Sequence, residues 1–426
     1  MNYSSLSNKE LADLCKTKEI KKWSGKRKTE LIAMLLEHDA TEALAKVDAL
    51  PPSPANTEVT RLSPDTIPSL PNTMVNSDDE GSMEENELIL EPTPVITTGT
   101  LPDIKTYLET IRKKSGPVYR RVCLSPLRYA GGKSNAVGLI LEHLPALKSK
   151  KIVSPFFGGG SFEIAVAQQL GFEVIGYDVF EILVNFWQTL LARPAELADA
   201  LKTMIPTKDA YTRNRHILLH WWEQVKPASL EYKTLNRLEL TNDEKDRLTT
   251  DTLQQAAYYY YNMQLSYGPM FLGWPSSVYL KPDRYASVVD RIRGFKAPTL
   301  EVHCADFQTA IMNHPDDFLF LDPPYYLGSD SKMFKGMYPN CNFAIHHNGF
   351  PHETLRDMLK KHKGGFMLTY NDCPTIRTWY AEFQQVFPSW QYTYSQGETR
   401  IGKNREEGRG DNKKMSHEIF IICAPK

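Results

Sequence analysis

From about residue 116 onward, short apolar runs of strand length alternate with segments that have the periodicity of a helix. The runs lie at 151–153, 173–177, 300–302, 318–321, 365–368 and 419–422, with helical patterns at 134–144, 161–170 and 352–362. Such alternation is typical of a largely parallel sheet with helices on both faces. The sequence therefore predicts an α/β domain over residues 116–426, with a polar, mostly helical subdomain inserted at 194–275.

Two segments precede this region and differ from it. Residues 1–46 carry leucines and isoleucines at helical spacing on both sides of a break at Trp23–Gly25, where basic residues cluster, and Asn8 is placed to cap the first helix. Residues 47–115 are rich in proline and acids, and no aromatic residue occurs between 47 and 100. A segment that buries so little apolar surface cannot offset its conformational entropy, so we expect a disordered linker.

The composition, the N-terminal pattern and the cysteine spacing argue against a secreted, a membrane-spanning and a metal-binding protein. The 426 residues are 41% hydrophobic and 24% charged, which is typical of a protein with a sizeable core. The N-terminus does not have the pattern of a signal peptide, and no apolar run is long enough to cross a bilayer. Six cysteines are scattered without a C-x-x-C pair, which indicates reduced thiols and no metal site. We expect a soluble intracellular protein, in the cytoplasm, or in the nucleus or a host cell if the source is eukaryotic or viral.

The tetrad that follows the apolar run 318–321 is the most specific chemical signal. It reads Asp322-Pro323-Pro324-Tyr325. The prolines keep the chain extended because they have a fixed φ and no N–H. The Asp322 carboxylate and the Pro323 carbonyl can then accept hydrogen bonds from one amino group, while Tyr325 offers a face for stacking a flat ring. The tetrad predicts chemistry on an exocyclic amine; a tight turn at a strand end is the alternative.

A glycine-rich turn forms the second element of the candidate site. Gly158, Gly159 and Gly160 follow a predicted strand and precede a helix, where a ligand can approach the backbone. Asp178 ends the next strand, at the distance expected for an acid that binds ribose hydroxyls. The third glycine of a dinucleotide fingerprint is missing, and Gly132-Lys133-Ser134 lacks the first glycine of a P-loop. A kinase or ATPase is therefore not favoured.

Taken together, five motifs resemble those of the Dam-type (D12 class) DNA adenine-N6 methyltransferases. They are Arg128-Tyr129-Ala130-Gly131-Gly132-Lys133, Phe156-Phe157-Gly158-Gly159-Gly160, Tyr177-Asp178, Cys304-Ala305-Asp306-Phe307 and Asp322-Pro323-Pro324-Tyr325. Their order along residues 120–426 also resembles that family, with an insertion between the glycine-rich loop and the Pro-Pro-Tyr motif. The resemblance implies a Rossmann-like methyltransferase sheet and S-adenosylmethionine as the methyl donor.

The resemblance also implies roles for individual residues. Asp322, Pro323, Pro324 and Tyr325 would form the catalytic tetrad, with Asp322 between the cofactor and the target amine. The other cofactor-binding residues would be Tyr129, Lys133, Phe156, Gly158, Gly160, Asp178 and Asp306. Two of these have a simpler reading, because Tyr129 can be a core aromatic residue and Asp306 can cap the following helix.

The implied substrate is double-stranded DNA, from which an adenine must be flipped before its N6 amine can be reached. Residues 1–46 resemble the SAP module, a small helical DNA-binding unit, and would tether a monomeric enzyme to its substrate. Ser154 stands where the family commonly has an acid, and the hairpin at 265–279 is short, so target specificity does not carry over. N4-cytosine methylation and a non-catalytic DNA-binding protein with the same fold remain alternatives.

Overall fold

The computed structural model of the chain describes residues 7–18, 101–115, 118–225, 238–267, 269–326, 349–390 and 418–426, together with positions 20, 28, 31, 35 and 38. The chain forms two compact units, Met1–Asn76 and Ser77–Lys426. The basic residues at 21–27, positions 39–46 and positions 47–100, which are most of the predicted linker, lie outside the described residues.

In the first unit, helix α1 (Asn8–Thr17) begins with a capping box. The Ser7 hydroxyl accepts a hydrogen bond from the Glu10 N–H, and the Glu10 carboxylate accepts one from the Ser7 N–H at 2.7 Å. The sequence predicts Asn8 as the cap, and this is wrong, because only Ser7 has a glutamate three residues later. The apolar residues of this unit are buried against one another; they are Leu11, Cys15, Leu31 and Leu35.

The second unit is built on a sheet whose seven strands, within the described residues, follow the order β3-β2-β1-β4-β5-β7-β6. The strands are β1 (Lys151–Ser154), β2 (Glu173–Asp178), β3 (Leu300–Cys304), β4 (Leu319–Leu321), β5 (Phe366–Asn371), β6 (Gln384–Val386) and β7 (Glu418–Cys423). Strands β1 to β5 pair in parallel, whereas β7 lies antiparallel between β5 and β6. This confirms the predicted α/β class. The short edge strand β6 has no apolar run, so the sequence does not predict it.

Helices precede and connect these strands. They are α2 (Ile104–Ile111), α3 (Val137–His143), α4 (Ser161–Leu170), α5 (Glu181–Ala192), α6 (Pro194–Lys202), α7 (Lys208–Val225), α8 (Asn242–Asp246), α9 (Thr252–Leu265), α10 (Pro282–Arg293), α11 (Phe307–Asn313), α12 (His352–Lys361) and α13 (Pro374–Trp379). Helix α2 corrects the predicted linker, which extends to residue 115. Tyr107 and Ile111 lie one helical turn apart and are both buried in the core, so this end of the segment is folded.

The core lies on both faces of the sheet. Adjacent strand residues point to opposite faces, and Ile152 and Val153 accordingly belong to two different apolar clusters. Helices α3 and α4 contribute to the first cluster, and α11, α12 and α13 contribute to the second. Helices α6, α7 and α9, from the segment predicted as an insertion, add Leu197, Tyr211 and Tyr259 to the first cluster. That segment therefore shares the core of the sheet.

The strand order places the candidate site. The chain passes from β1 to β2 and β3 on one side, and then returns to β4 on the other side of β1. Such a reversal opens a crevice at the carboxyl ends of the central strands, where ligands bind in open α/β sheets. The glycine-rich loop follows β1, Asp178 ends β2 and Asp322 follows β4. Parallel pairing thus brings separate motifs to one edge of the sheet.

Candidate active site

Strand β4 delivers Asp322 to this edge from a buried position. Its three residues are almost inaccessible to solvent, whereas the Asp322 side chain is 23% exposed. The Lys133 ammonium lies 2.7 Å from Asp322 Oδ1 and 2.6 Å from Oδ2. Lys133 itself is buried and also donates to the Gly131 carbonyl at 3.2 Å. Two motifs that are 189 residues apart in sequence thus form one ion pair.

A second group, on strand β5, also holds the Asp322 carboxylate. Thr369, on β5, donates its hydroxyl hydrogen to Asp322 Oδ1 at 2.7 Å. Oδ1 therefore accepts from both Lys133 and Thr369, whereas Oδ2 accepts from Lys133 alone among the described residues. Because each carboxylate oxygen can accept about two hydrogen bonds, Oδ2 retains an acceptor position. That oxygen is the one able to accept a hydrogen bond from an incoming amine.

The aromatic end of the tetrad is held by β5 and β7. The Tyr325 hydroxyl donates to Glu418 Oε2 at 2.7 Å, and both residues are buried. The Asn371 amide donates to the Tyr326 carbonyl at 2.8 Å. The Lys133 ammonium lies 5.1 Å from the centre of the Tyr325 ring, within the range of a cation–π contact. Tyr325 is thus fixed at its hydroxyl and lies beside the Lys133–Asp322 pair.

The glycine-rich loop is shaped by contacts with aromatic rings. Gly158 and Gly160 have φ values of 49° and 62°, which favour glycine, and Gly160 caps helix α4. A Cβ atom at Gly159 would lie 2.6 Å from the Cβ atom of Tyr129. The Asp178 carboxylate accepts hydrogen bonds from the N–H groups of Gly158, at 3.0 Å, and Phe180. The structure therefore brings Tyr129, the loop and Asp178 together, while their contact with a cofactor stays a prediction.

The other two predicted cofactor residues are Phe156, in the loop after β1, and Asp306, directly before helix α11. Phe156 stacks on Phe307, with ring centroids 5.6 Å apart, and also contacts Phe350. Asp306 is exposed and caps α11 by accepting a hydrogen bond from the Thr309 N–H at 2.7 Å. In this structure Asp306 is therefore a helix cap, the simpler of the two roles expected for it. A role beside the adenine of a cofactor stays a prediction for both residues.

A second carboxylate lies below the loop. Glu163, on α4, is buried and accepts a hydrogen bond at 2.7 Å from the Ser154 hydroxyl at the end of β1. Burial raises the pKa of Glu163 to about 7, while the hydrogen bond from Ser154 acts in the opposite direction. The nearby Asp322 charge also raises this pKa, and the Lys133 charge lowers it. Glu163 thus brings an acidic group to Ser154, the position that the sequence leaves without one.

Three contacts of this site are not predicted from the sequence, and they are made by Thr369, Glu418 and Glu163. Thr369 lies in an apolar run that reads as a buried strand, and Glu163 lies in a regular helical pattern. Thr369 is 47 residues from its partner Asp322 in sequence, and Glu418 is 93 residues from Tyr325. Glu163 is 9 residues from Ser154. A polar residue inside an apolar strand, such as Thr369, is the only local signal, because its hydroxyl must be satisfied when buried.

The match to a family model decides which family the chain belongs to. The model for D12 class N6 adenine-specific DNA methyltransferase matches residues 129–394, more than half of the chain. This chain belongs to that family. The resemblance drawn from the motifs is confirmed, and the protein is an enzyme of the adenine-specific DNA methyltransferase kind. The search against curated proteins found no match.

Two further features of the methyltransferase concern metals and membranes. Within the described residues, no group of three or more His, Cys, Asp or Glu side chains is arranged to hold a metal ion. In the same part of the chain, no helix is both long and apolar enough to span a membrane.

Proposed function

We propose that this enzyme transfers a methyl group from S-adenosylmethionine to the N6 amine of an adenine flipped out of double-stranded DNA at a specific sequence. The observation that carries the proposal is the geometry of Asp322. Its carboxylate is held by Lys133 and Thr369, and Oδ2 keeps one acceptor position within the described residues. A fixed carboxylate with an open acceptor position suits the recognition of an amino group.

The residues at the carboxyl edge of β1 and β2 fit a nucleoside cofactor. Asp178 lies at the end of β2 and is partly exposed, so that its carboxylate can accept hydrogen bonds from ribose hydroxyls. Gly158 and Gly160 permit close approach to the loop backbone, with Tyr129 packed against the loop. When bound, S-adenosylmethionine supplies an electrophilic methyl group on a positively charged sulfur. The carboxylates along this edge complement that charge.

The tetrad would act on the target by orientation and electrostatics. The N6 lone pair of adenine is delocalised into the ring, which makes this nitrogen a weak nucleophile. Hydrogen bonds from N6 to Asp322 Oδ2 and to the Pro323 carbonyl direct the lone pair toward the methyl group. As the N–C bond formed and the bond between the methyl group and sulfur broke, leaving a neutral thioether, N6 would become positive. The Asp322 carboxylate would stabilise that charge until a proton left N6 for solvent. Tyr325 would stack on the flipped base.

Two other parts of the chain are assigned to DNA binding. The helical segment 194–275 would recognise the target sequence, since its Gln264 and Ser266 carbonyls accept hydrogen bonds from Arg128, the residue before Tyr129. An antiparallel bridge between Ser266 and Pro275 closes a short hairpin within this segment. Tyr267 and Trp274, beside that bridge, are exposed aromatic residues of the kind that contact bases. Residues 1–46 would act as a SAP-like tether that raises the local DNA concentration without reading bases.

Substitution of Asp322 tests the catalytic assignment. We expect Asp322→Ala to lower methyl transfer by at least about 1,000-fold, because the group that orients the amine is lost. DNA binding should stay within about twofold of the wild type, since phosphate contacts dominate affinity. Asp316→Ala, which removes an exposed acid before the other end of β4, is the control. Joint loss of DNA binding and activity would show that Asp322 is structural.

The product identifies the reaction. Incubation with labelled S-adenosylmethionine and unmethylated DNA, followed by nucleoside digestion and mass spectrometry, should yield N6-methyldeoxyadenosine. N4-methyldeoxycytidine would change the target base but keep the mechanism. Cofactor binding without transfer to any DNA would indicate a non-catalytic DNA-binding protein.

Removal of residues 1–46 tests the tether separately. The truncated enzyme should bind DNA more weakly at moderate salt, with a shallower salt dependence, because phosphate contacts are lost. Turnover on a short duplex at saturating concentration should be unchanged. An unchanged salt dependence would contradict the tether.

A further inference from the structure

The hydrogen bond between Tyr325 and Glu418 joins the candidate catalytic tetrad to the last strand of the sheet. Tyr325 is 5% exposed and Glu418 is 1% exposed, so the contact is shielded from water. The distance from the Tyr325 hydroxyl to Glu418 Oε2 is 2.7 Å, as in a strong hydrogen bond to a carboxylate. The chemistry proposed above uses the Tyr325 ring but gives no role to Glu418.

The strand register shows why Glu418 can reach the tetrad. Glu418 begins β7 and pairs with Asn371, the last residue of β5. Asn371 in turn donates to the Tyr326 carbonyl. The paired residues Glu418 and Asn371 therefore hold two consecutive residues: Glu418 binds the side chain of Tyr325, and Asn371 binds the backbone of Tyr326.

A carboxylate at this position is not explained by packing. Its neighbours in β7 are the buried apolar residues Ile419, Phe420 and Ile421, and an apolar side chain would cost less to bury than a charge. The Tyr325 ring also contacts Tyr370, with 6.2 Å between centroids, and the Lys133 ammonium, at 5.1 Å from its centre. A hydrogen bond at the hydroxyl, at the far end of the ring, restricts rotation about the first side-chain torsion, because that rotation would carry the hydroxyl away from its partner.

We propose that Glu418 is a positioning residue, which holds the Tyr325 ring through its hydroxyl in the position where it stacks on the flipped base. This inference rests on the proposed function. Without the contact, the ring would swing away from its stacking position for part of the time, and fewer encounters with DNA would place the amine against Asp322. The consequence is a lower rate of methyl transfer with unchanged cofactor binding.

Three variants test this role. Tyr325→Phe removes the hydroxyl and keeps the ring, Glu418→Leu removes the acceptor, and Glu418→Gln keeps an acceptor oxygen of the same reach. We expect the first two to lower the single-turnover rate by about tenfold each, which corresponds to one hydrogen bond. Glu418→Gln should restore the rate to within about threefold of the wild type, which a simple loss of charge would not do.

The double variant separates positioning from general stability. If Glu418 acts through the hydroxyl, Tyr325→Phe/Glu418→Leu should be no slower than either single variant. Affinity for S-adenosylmethionine, measured by titration calorimetry, should be unchanged in all of them. Tyr325→Phe alone tests the contact if Glu418→Leu does not fold, and a wild-type rate in that variant would overturn the role.

The outcomes distinguish this inference from the proposed function. Active wild-type enzyme with multiplicative effects of the two substitutions would overturn the role of Glu418 only. Wild-type protein that binds the cofactor but transfers no methyl group to DNA would overturn the proposed function and the positioning role with it.

Discussion

Glu163 gives the sharpest test of the electrostatics below the glycine-rich loop. In the folded chain its pKa is about 7, against an ordinary value of 4.5, and burial is the main cause. Between these two values the folded state binds more protons than the unfolded state, so the free energy of unfolding falls as pH rises. A pKa difference of about 2.5 corresponds to about 3 kcal/mol, which is lost between about pH 4.5 and pH 7.

Glu163→Gln removes the ionisation but keeps an acceptor for the Ser154 hydroxyl. We expect the variant to match the wild type near pH 4.5 and to be more stable by about 3 kcal/mol at pH 8. Urea unfolding at a series of pH values, followed by circular dichroism, measures the difference. His352 also makes stability depend on pH, because burial lowers its pKa to about 4 and the fold loses stability as pH falls. This contribution is the same in both proteins, so it cancels in the difference between variant and wild type.

A second variant checks the role of Ser154. Its hydrogen bond lowers the pKa of Glu163, so Ser154→Ala should raise that pKa further and extend the loss of stability to higher pH. Parallel curves for Glu163→Gln and the wild type from pH 4.5 to pH 8 would refute this account of the buried carboxylate.

Three further substitutions test the site by single-turnover kinetics and cofactor titration. Thr369→Val removes one hydrogen bond from Asp322 and should slow methyl transfer by about tenfold, with an unchanged rate showing that Lys133 alone orients the carboxylate. Lys133→Gln should slow transfer by about 100-fold in the wild type and far less in Asp322→Asn, whereas equal effects in both backgrounds would contradict a coupled pair. Gly159→Ala would place a Cβ atom 2.6 Å from the Cβ atom of Tyr129, so we expect weaker cofactor binding, and wild-type affinity would show that the ring shifts without consequence.

The sequence by itself determined the class of fold and the family. Apolar runs such as 318–321 and the helical pattern over 161–170 reflect burial against neighbouring elements, and burial leaves a periodicity that is local in sequence. The same is true of the Asp322–Tyr325 tetrad, whose prolines act on their own stretch of backbone. Helix α2 also carries a local signal, because Asp103 caps it and apolar residues recur at 104, 107, 108 and 111. The proline-rich and acidic composition of the preceding segment masks that signal.

Only the tertiary structure decided which groups act on the tetrad. Lys133 pairs with Asp322 because the strand order brings the loop before α3 to the edge of β4, and the register of β5 and β7 places Glu418 at Tyr325. Glu163 reaches Ser154 because α4 packs above β1. These contacts depend on parallel crossovers and on register, which couple residues that are distant in sequence. A hydrogen bond between such residues leaves no periodic pattern in either segment, so three-dimensional packing alone specifies it.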